Sequence, residues 1–480
     1  MLLGLDLGTT NVKALLVEAG GAIAARGSAP VPLVHTSDGG VEQDIERIWQ
    51  ATLEAVRQAA GGARPGEVRA VGVSSQGAAM QIRAEDGRCL GPVISWMDPR
   101  GQPFDKELTQ RMGRAYFASR LGHGRSGISL GQLLWLRRQR PELLAWPNRV
   151  GFVGDTIVQR LCGRAAHDGS SLSICCLYNP SLRQADPDVL ELMGLRAEQL
   201  PDLLPARQPA GPLSAEAAAL TGLPAGIPVG PAVHDQYAAA LGCGAIDAGD
   251  VMFGAGTAWA LLAVADRLMG PVVPSAWVCD HVLPGRWGQM LSLVVGGSAF
   301  RWALAMTALE GESPEAIDKV IDSIPPGSDG LRLWPFLSGT GGEGRPTSGS
   351  VHGLRLAHGR AHLLRATVEG LCMELARQIG WLEVAGCPAR RLIMCGGGAR
   401  SRCTPQIVAD VAGRPVTLPA EPEISAFGAA ILARAMQEQE TSLEELHRSM
   451  AGETRRIEPG PAAASYAKML GEYVAALAER

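Results

Sequence analysis

The sequence predicts an α/β protein of two structurally similar domains. Three observations predict it. A strand–turn–strand segment opens the chain at 1–18 and recurs at 251–264, about 250 residues downstream. Apolar strands and amphipathic stretches surround both copies. The length of 480 residues suits two or three domains at roughly 100–200 residues each.

The elements follow in order. In the first segment, MLLGL is apolar, DLGTTN is turn chemistry and VKALLVE is apolar again. Residues 43–60 show helical spacing, with Ile45, Ile48, Trp49, Leu53 and Val56 on one face. Residues 68–74 and 93–96 read as strands, the second ending in Met97-Asp98-Pro99-Arg100. Residues 130–138 read as a helix, and the Pro-, Leu- and Ala-rich stretch 179–230 as an irregular cap. The repeated segment at 251–264 reads VMFGAGTAWALLAV. CGAIDAGD at 243–250 breaks the pattern and sets the expected boundary, giving domains 1–243 and 244–480. A final amphipathic helix is expected over 462–480.

Composition narrows the function. Hydrophobic residues make up 46% and charged residues 19%, as in ordinary globular proteins. A net charge of −4 without a long basic run points away from nucleic acid. The ten cysteines form no CxxC pair and no zinc-spaced cluster, so buried thiols of a reducing cytoplasm are expected. The N-terminus lacks a signal peptide's charged and apolar regions, and no run of about 18 apolar residues suggests a membrane span.

Five motifs carry candidate chemistry. In Asp6-Leu7-Gly8-Thr9-Thr10-Asn11-Val12-Lys13, Gly8 permits a tight turn. Thr9, Thr10 and Asn11 offer a concave set of donors to phosphate oxygens, and Lys13 adds charge. Asp6 ends an apolar strand and needs a partner there; hydrated Mg²⁺ is a natural one. Gly254-Ala255-Gly256-Thr257 repeats the first turn, so two facing hairpins could hold neighbouring phosphates. Gly396-Gly397-Gly398-Ala399-Arg400-Ser401 joins a strand to a helix and lets a flat ligand or phosphate approach the backbone. Asp235, after Val233-His234, ends a strand at the domain junction and is placed equally for general-base work or for capping the helix 237–241. Trp96, Asp98 and Arg100 could line and hydrogen-bond a sugar. P-loop, protein-kinase, GxSxG and HExxH signatures are absent.

These motifs, in this order and spacing, resemble the FGGY carbohydrate kinases over residues 2 to about 435. Further segments support the resemblance: Val41-Glu42-Gln43-Asp44 with Trp49, SLGQLLWLRR at 129–138, Phe336–Gly339 followed by Arg345-Pro346, and Ser425–Ala430. The resemblance implies two RNase H-like domains of the actin and sugar-kinase type, with a deep cleft between them. It implies ATP and Mg²⁺ as cofactors, a small sugar or polyol as partner, and often a homodimer. Asp6, Thr9 and Thr10 would meet Mg²⁺ and phosphate, and Asp235 would share the ion, mainly through water. Gly256 and Thr257 would hold the second phosphate edge. Gly297 with Arg301, and Gly397 and Gly398 with Arg402, would contact the nucleotide. Asp235 would be the catalytic base, and Gln76, Gly77, Ala78, Trp96, Asp98 and Arg100 would face the acceptor. The chain departs from the pattern at Gly77-Ala78, where xylulokinases carry Met-His and glycerol kinases Arg-Glu, and at Gln132, in the signature lysine position. The nearest match in pattern is xylulokinase, which makes D-xylulose the expected acceptor. Glycerol, another polyol, gluconate or a different ketose are alternatives, as are a nucleotide-driven switch and an inactive sugar sensor.

Overall fold

The computed structural model describes residues 1–62, 66–293, 295–339 and 348–478. The opening apolar run forms β1 (Leu2–Leu7), and the DLGTTN turn returns the chain antiparallel as β2 (Asn11–Val17), followed by β3 (Ile23–Pro30). Helix α1 (Ile45–Ala60) starts where the Asp44 carboxylate accepts the Glu46 N–H, and it buries the apolar face expected from its spacing. β4 (Val71–Ser75) lies parallel to β1. With β5 (Ala166–His167), β6 (Asp202–Leu203) and β7 (Pro228–His234) the sheet runs β6-β5-β7-β4-β1-β2-β3, and Gly211–Pro212 pairs with β7 as an eighth strand.

The second sheet follows the same plan. β8 (Asp250–Ala255) and β9 (Trp259–Ala265) are the repeated hairpin, and β10 (Trp277–Asp280) and β11 (Trp287–Ser292) extend it antiparallel. β12 (Arg391–Cys395) lies parallel to β8, as β4 does to β1. β13 (Val416–Pro419) and β14 (Thr454–Ile457) complete the order β10-β11-β9-β8-β12-β13-β14. The fold is therefore the expected mixed α/β pair. The 179–230 stretch is more regular than its composition predicted. It holds helices Pro187–Met193 and Ala215–Thr221, capped by Asp186 and Ser214, and it ends in β7. The strand expected at 93–96 is only Val93–Ile94, because the chain turns before Asp98 caps a short helical turn. Arg345-Pro346 lie outside the described residues.

Sheets divide the chain near 243–250, but helices cross that line. Helix α2 (Asp235–Cys243) leaves β7 and buries Tyr237, Ala240 and Leu241 in the cluster that holds Met252, Leu262 and Ile393 of the second sheet. Helix α3 (Ile424–Gln437) follows β13 yet lies on the first sheet. Glycines let backbones touch. A Cβ on Gly4 would lie 1.9 Å from the Ala426 carbonyl oxygen, and one on Gly72 would lie 1.8 Å from that of Ala429. The two helices meet each other the same way: a Cβ on Gly428 would lie 1.8 Å from the Ala238 oxygen, and one on Gly242 would lie 2.1 Å from that of Ile424. Gly428→Ala should therefore destabilise the protein by about 1–3 kcal/mol, the usual cost of overpacking. Gly20→Ala, with open space around it, should stay within about 0.5 kcal/mol in the same urea titration.

Candidate active site

The β1–β2 turn is closed by backbone: the Gly8 N–H donates to the Asn11 carbonyl at 3.1 Å. A Cβ on Gly8 would lie 2.7 Å from that same oxygen, so the turn requires glycine. Asp6 stands at the end of β1, opposite Ser74 of β4, whose hydroxyl donates to its Oδ1 at 2.9 Å. The Thr9 hydroxyl donates to Gln76 Oε1 at 3.1 Å and accepts the Trp96 indole N–H at 3.0 Å. Gln43 ties this set together, donating to the Thr9 carbonyl at 2.8 Å and accepting from Gln76 Nε2 at 3.0 Å. The turn expected to meet phosphate and the loop expected to meet the acceptor thus share one hydrogen-bonded chain. Asn11 Nδ2 donates to the Thr10 hydroxyl at 3.2 Å on the exposed side of the turn. Lys13 reaches across to Glu423 at 2.5 Å, just before α3.

The second turn is built differently. The N–H groups of Gly297 and Ser298 donate to the carbonyls of Gly256 and Thr257, both at 3.0 Å, which fixes the start of helix Gly297–Met306 against the hairpin. Gly256, Thr257, Gly297, Arg301, Gly397 and Gly398 all line one cavity of about 580 Å³. Arg402 does not line it; Arg400 does. The turn at 397–400 is a tight 3-10 helix, and the Arg402 N–H is spent on Asp318 Oδ2 at 2.7 Å. Asp318 also accepts the Ser401 hydroxyl at 2.6 Å. It lines the cavity and pins the glycine-rich segment from helix Pro314–Asp322. Nothing in its sequence surroundings marks it for that work.

Asp235 lies at the joint between β7 and α2. It is the first residue of α2, with His234 in the capping position, and it does not cap a helix that starts at 237. Its carbonyl accepts from the Ser425 hydroxyl at 3.3 Å. The neighbouring Gln236 Oε1 lies 3.8 Å from where a Cβ on Gly254 would be, at the second hairpin. On the other side, Asp235 is close enough to Asp6 for its charge to be felt there. Burial, and then that charge, push Asp6 up to about 7, against the pull of the Ser74 hydrogen bond. Burial pushes Asp235 up to about 6, and hydrogen bonds from Gln236 oppose it. His234 Nε2 lies 3.2 Å from Asp235 Oδ1, and burial lowers the imidazole to about 3, so the ring is neutral.

Two neighbouring carboxylates, with Lys13 already held by Glu423, suit a divalent cation. Among the described residues no cluster of three or more His, Cys, Asp or Glu forms a metal cage. The fit is to an ion that keeps its waters and takes one or two carboxylates, the habit of Mg²⁺.

The remaining residues are more structural than expected. Asp98 is buried and accepts from the Val41 and Arg100 N–H groups, both at 2.9 Å. Arg100 is ion-paired to Asp38, Glu42 and Asp98 and stacks over Trp135. Their polar atoms are thus largely committed to each other. Trp96, 41% exposed, remains open to a ligand. Gln76 and Ala78 are buried, and Ala78 has φ +57°. Gln132 is buried and donates to the Ser95 carbonyl at 2.8 Å. Among the described residues no helix is long and apolar enough to cross a membrane.

Two models of the FGGY family of carbohydrate kinases match the chain, the N-terminal domain over residues 1–242 and the C-terminal domain over 255–436. The chain is 28% identical to the xylulose kinase of Escherichia coli (strain K12), covering 93% of this chain and 92% of that protein. It is 31% identical to the glycerol kinase of Gloeobacter violaceus, covering 90% of this chain and 87% of that protein. Its fold superposes on the crystal structure of xylulose kinase from Rhodospirillum rubrum with a TM-score of 0.88, at 27% identity, covering 100% and 98% of the two chains.

The raised pKa of Asp6 gives a test of the geometry that needs no ligand. The folded chain holds this proton up to about pH 7, whereas an ordinary aspartate loses it near 3.8. Asp6 therefore costs stability increasingly as pH rises between those values. Asp6→Asn should be more stable than the parent by on the order of 1–3 kcal/mol at pH 8, without cation or nucleotide, and equal to it near pH 4. Urea unfolding at both pH values measures the difference.

Proposed function

We propose that this chain, which belongs to the FGGY family of carbohydrate kinases, transfers the γ-phosphoryl group of ATP to a hydroxyl of a small sugar, with Asp235 as general base. The observation that carries the reading is the place of Asp235. Its charge is felt at Asp6 beside the first turn, its neighbour Gln236 reaches toward Gly254 of the second hairpin, and burial has pushed the carboxylate up to about 6. A base of that strength is charged at neutral pH and still takes a proton from an alcohol as the oxygen attacks.

The cavity beside Gly256, Gly297 and Gly398 has the size and backbone exposure of a nucleoside site, and it opens along the second turn. ATP in that cavity would direct its phosphates between the hairpins. Amides and hydroxyls of Thr9, Thr10 and Asn11 would meet them on one side, and Gly256 and Thr257 on the other. Lys13 would exchange Glu423 for phosphate. Asp6 and Asp235 would hold Mg²⁺ through water, and the ion would offset charge on the phosphate oxygens. The acceptor oxygen gives its proton to Asp235 and bonds to the γ-phosphorus; ADP leaves with the electron pair of the broken P–O bond. Exclusion of water by the closed cleft keeps the phosphoryl group from being hydrolysed.

For the acceptor we favour a pentulose such as D-xylulose, since the E. coli and R. rubrum proteins named above are xylulose kinases. Glycerol is the second reading, on the similarity to the G. violaceus enzyme. Trp96 would lie along the carbon skeleton, with Gln76, Gly77 and Ala78 closing the subsite from below. Asp98 and Arg100 would support that loop. The ten free cysteines fit a reducing cytoplasm.

Asp235→Asn keeps the shape and removes the base. It should lower kcat by ~10²–10⁴-fold in a coupled ADP-release assay. Nucleotide affinity, read by calorimetry, should stay within about threefold of the parent. Near-normal turnover by this variant would remove Asp235 from the chemistry.

A further inference from the structure

The ring of His234 fills the place where a side chain at residue 77 would stand. A Cβ built on Gly77 lies 2.6 Å from both Cδ2 and Nε2 of His234, and 2.8 Å from Ile174 Cγ2. Real carbon atoms do not approach this closely. The imidazole has little freedom to retreat. It is only 5% exposed, and the residue's own N–H donates to the Ser170 hydroxyl at 3.1 Å. Its Nε2 lies 3.2 Å from Asp235 Oδ1, and its ring is tilted against Tyr237 at a centroid separation of 5.8 Å. Nδ1 is itself buried and has no hydrogen-bond partner among the described residues. Meanwhile Gly77 and Ala78 bring almost no side-chain bulk of their own, and Ala78 is buried in a left-handed conformation.

We propose that His234, and not a side chain of the 76–78 loop, is the specificity-determining residue of the acceptor subsite. Its imidazole sets the width of the subsite beside Asp235. Gly77 is the counterpart of that arrangement: the ring fits because residue 77 has no side chain. The inference rests on the kinase reading above and adds which group shapes the acceptor's place.

The test is a cycle of Gly77→Ala, His234→Gly and the double variant, read with the acceptor that the parent uses best. Gly77→Ala should raise the acceptor KM at least tenfold and leave the ATP KM within twofold. His234→Gly should change the ranking of acceptors, favouring bulkier ones at least fivefold in kcat/KM relative to the parent's best. In the double variant, the added alanine should change the acceptor KM less than twofold compared with His234→Gly alone. Equal effects of Gly77→Ala in both backgrounds, or an unchanged ranking in His234→Gly, overturn the proposal. If His234→Gly does not fold, Gly77→Ala decides alone, and an unaltered acceptor KM overturns it. Turnover of a sugar by the parent upholds the kinase reading whatever the variants do. If the parent phosphorylates no acceptor, that reading fails, and the melting temperatures of the four proteins still judge the packing. Gly77→Ala should lower the melting temperature in the parent and leave it unchanged in His234→Gly; equal losses in both deny the steric link.

Discussion

The crossing of α2 and α3 is the contact on which the rest of the molecule depends. Two helices approach until backbone meets backbone at Gly242 and Gly428, and α3 meets the first sheet the same way at Gly4 and Gly72. Interiors at native packing density do not absorb even one methyl group at such points. The crossing therefore leaves little choice in how the two sheets stand to each other. Asp235 is the first residue of one of these helices, and Glu423 directly precedes the other. The packing that joins the halves thus also delivers a carboxylate to the gap between the hairpins and an anion to Lys13.

Electrostatics then act on a scaffold already fixed. Asp6 and Asp235 are close and partly withdrawn from water, and each resists ionisation for that reason. A cation arriving with a phosphate would relieve that cost, because the same desolvated carboxylates would bind it strongly. The Lys13–Glu423 and Arg26–Glu421 pairs bridge strands of the first sheet to the segment just ahead of α3. They are partly exposed and contribute little to stability, so they can be exchanged for ligand contacts at small cost.

Much of this was legible in the sequence because its causes are local. A turn that needs Gly8, a helix begun by Asp44 and an apolar period of 3.6 announce themselves within a few residues. The repeat of the Gly-Thr turn placed both hairpins, and six residues expected around the nucleotide share one cavity. What stayed hidden depends on partners far along the chain. The helix crossing joins residues nearly 190 apart, such as Ala238 and Gly428. Asp318 holds the Ser401 hydroxyl and the Arg402 N–H from helix Pro314–Asp322, far upstream in the chain. Arg402 was expected at the cavity, but the 3-10 turn before it changes the phase and presents Arg400. Asp98 and Arg100 read as free polar groups because their partners, Val41 for Asp98 and Asp38 and Glu42 for Arg100, lie some 60 residues upstream.

If the hairpins and Asp235 move a phosphoryl group to an alcohol, and do not merely hydrolyse ATP, a phosphate ester must form. Phosphorus NMR of the purified protein with ATP, Mg²⁺ and a panel of pentuloses, hexuloses, aldonates and polyols tests it most directly. A phosphomonoester signal should appear only with a particular acceptor, with one ADP formed for each ester. Release of inorganic phosphate at a rate indifferent to every acceptor, with no ester formed, would contradict it.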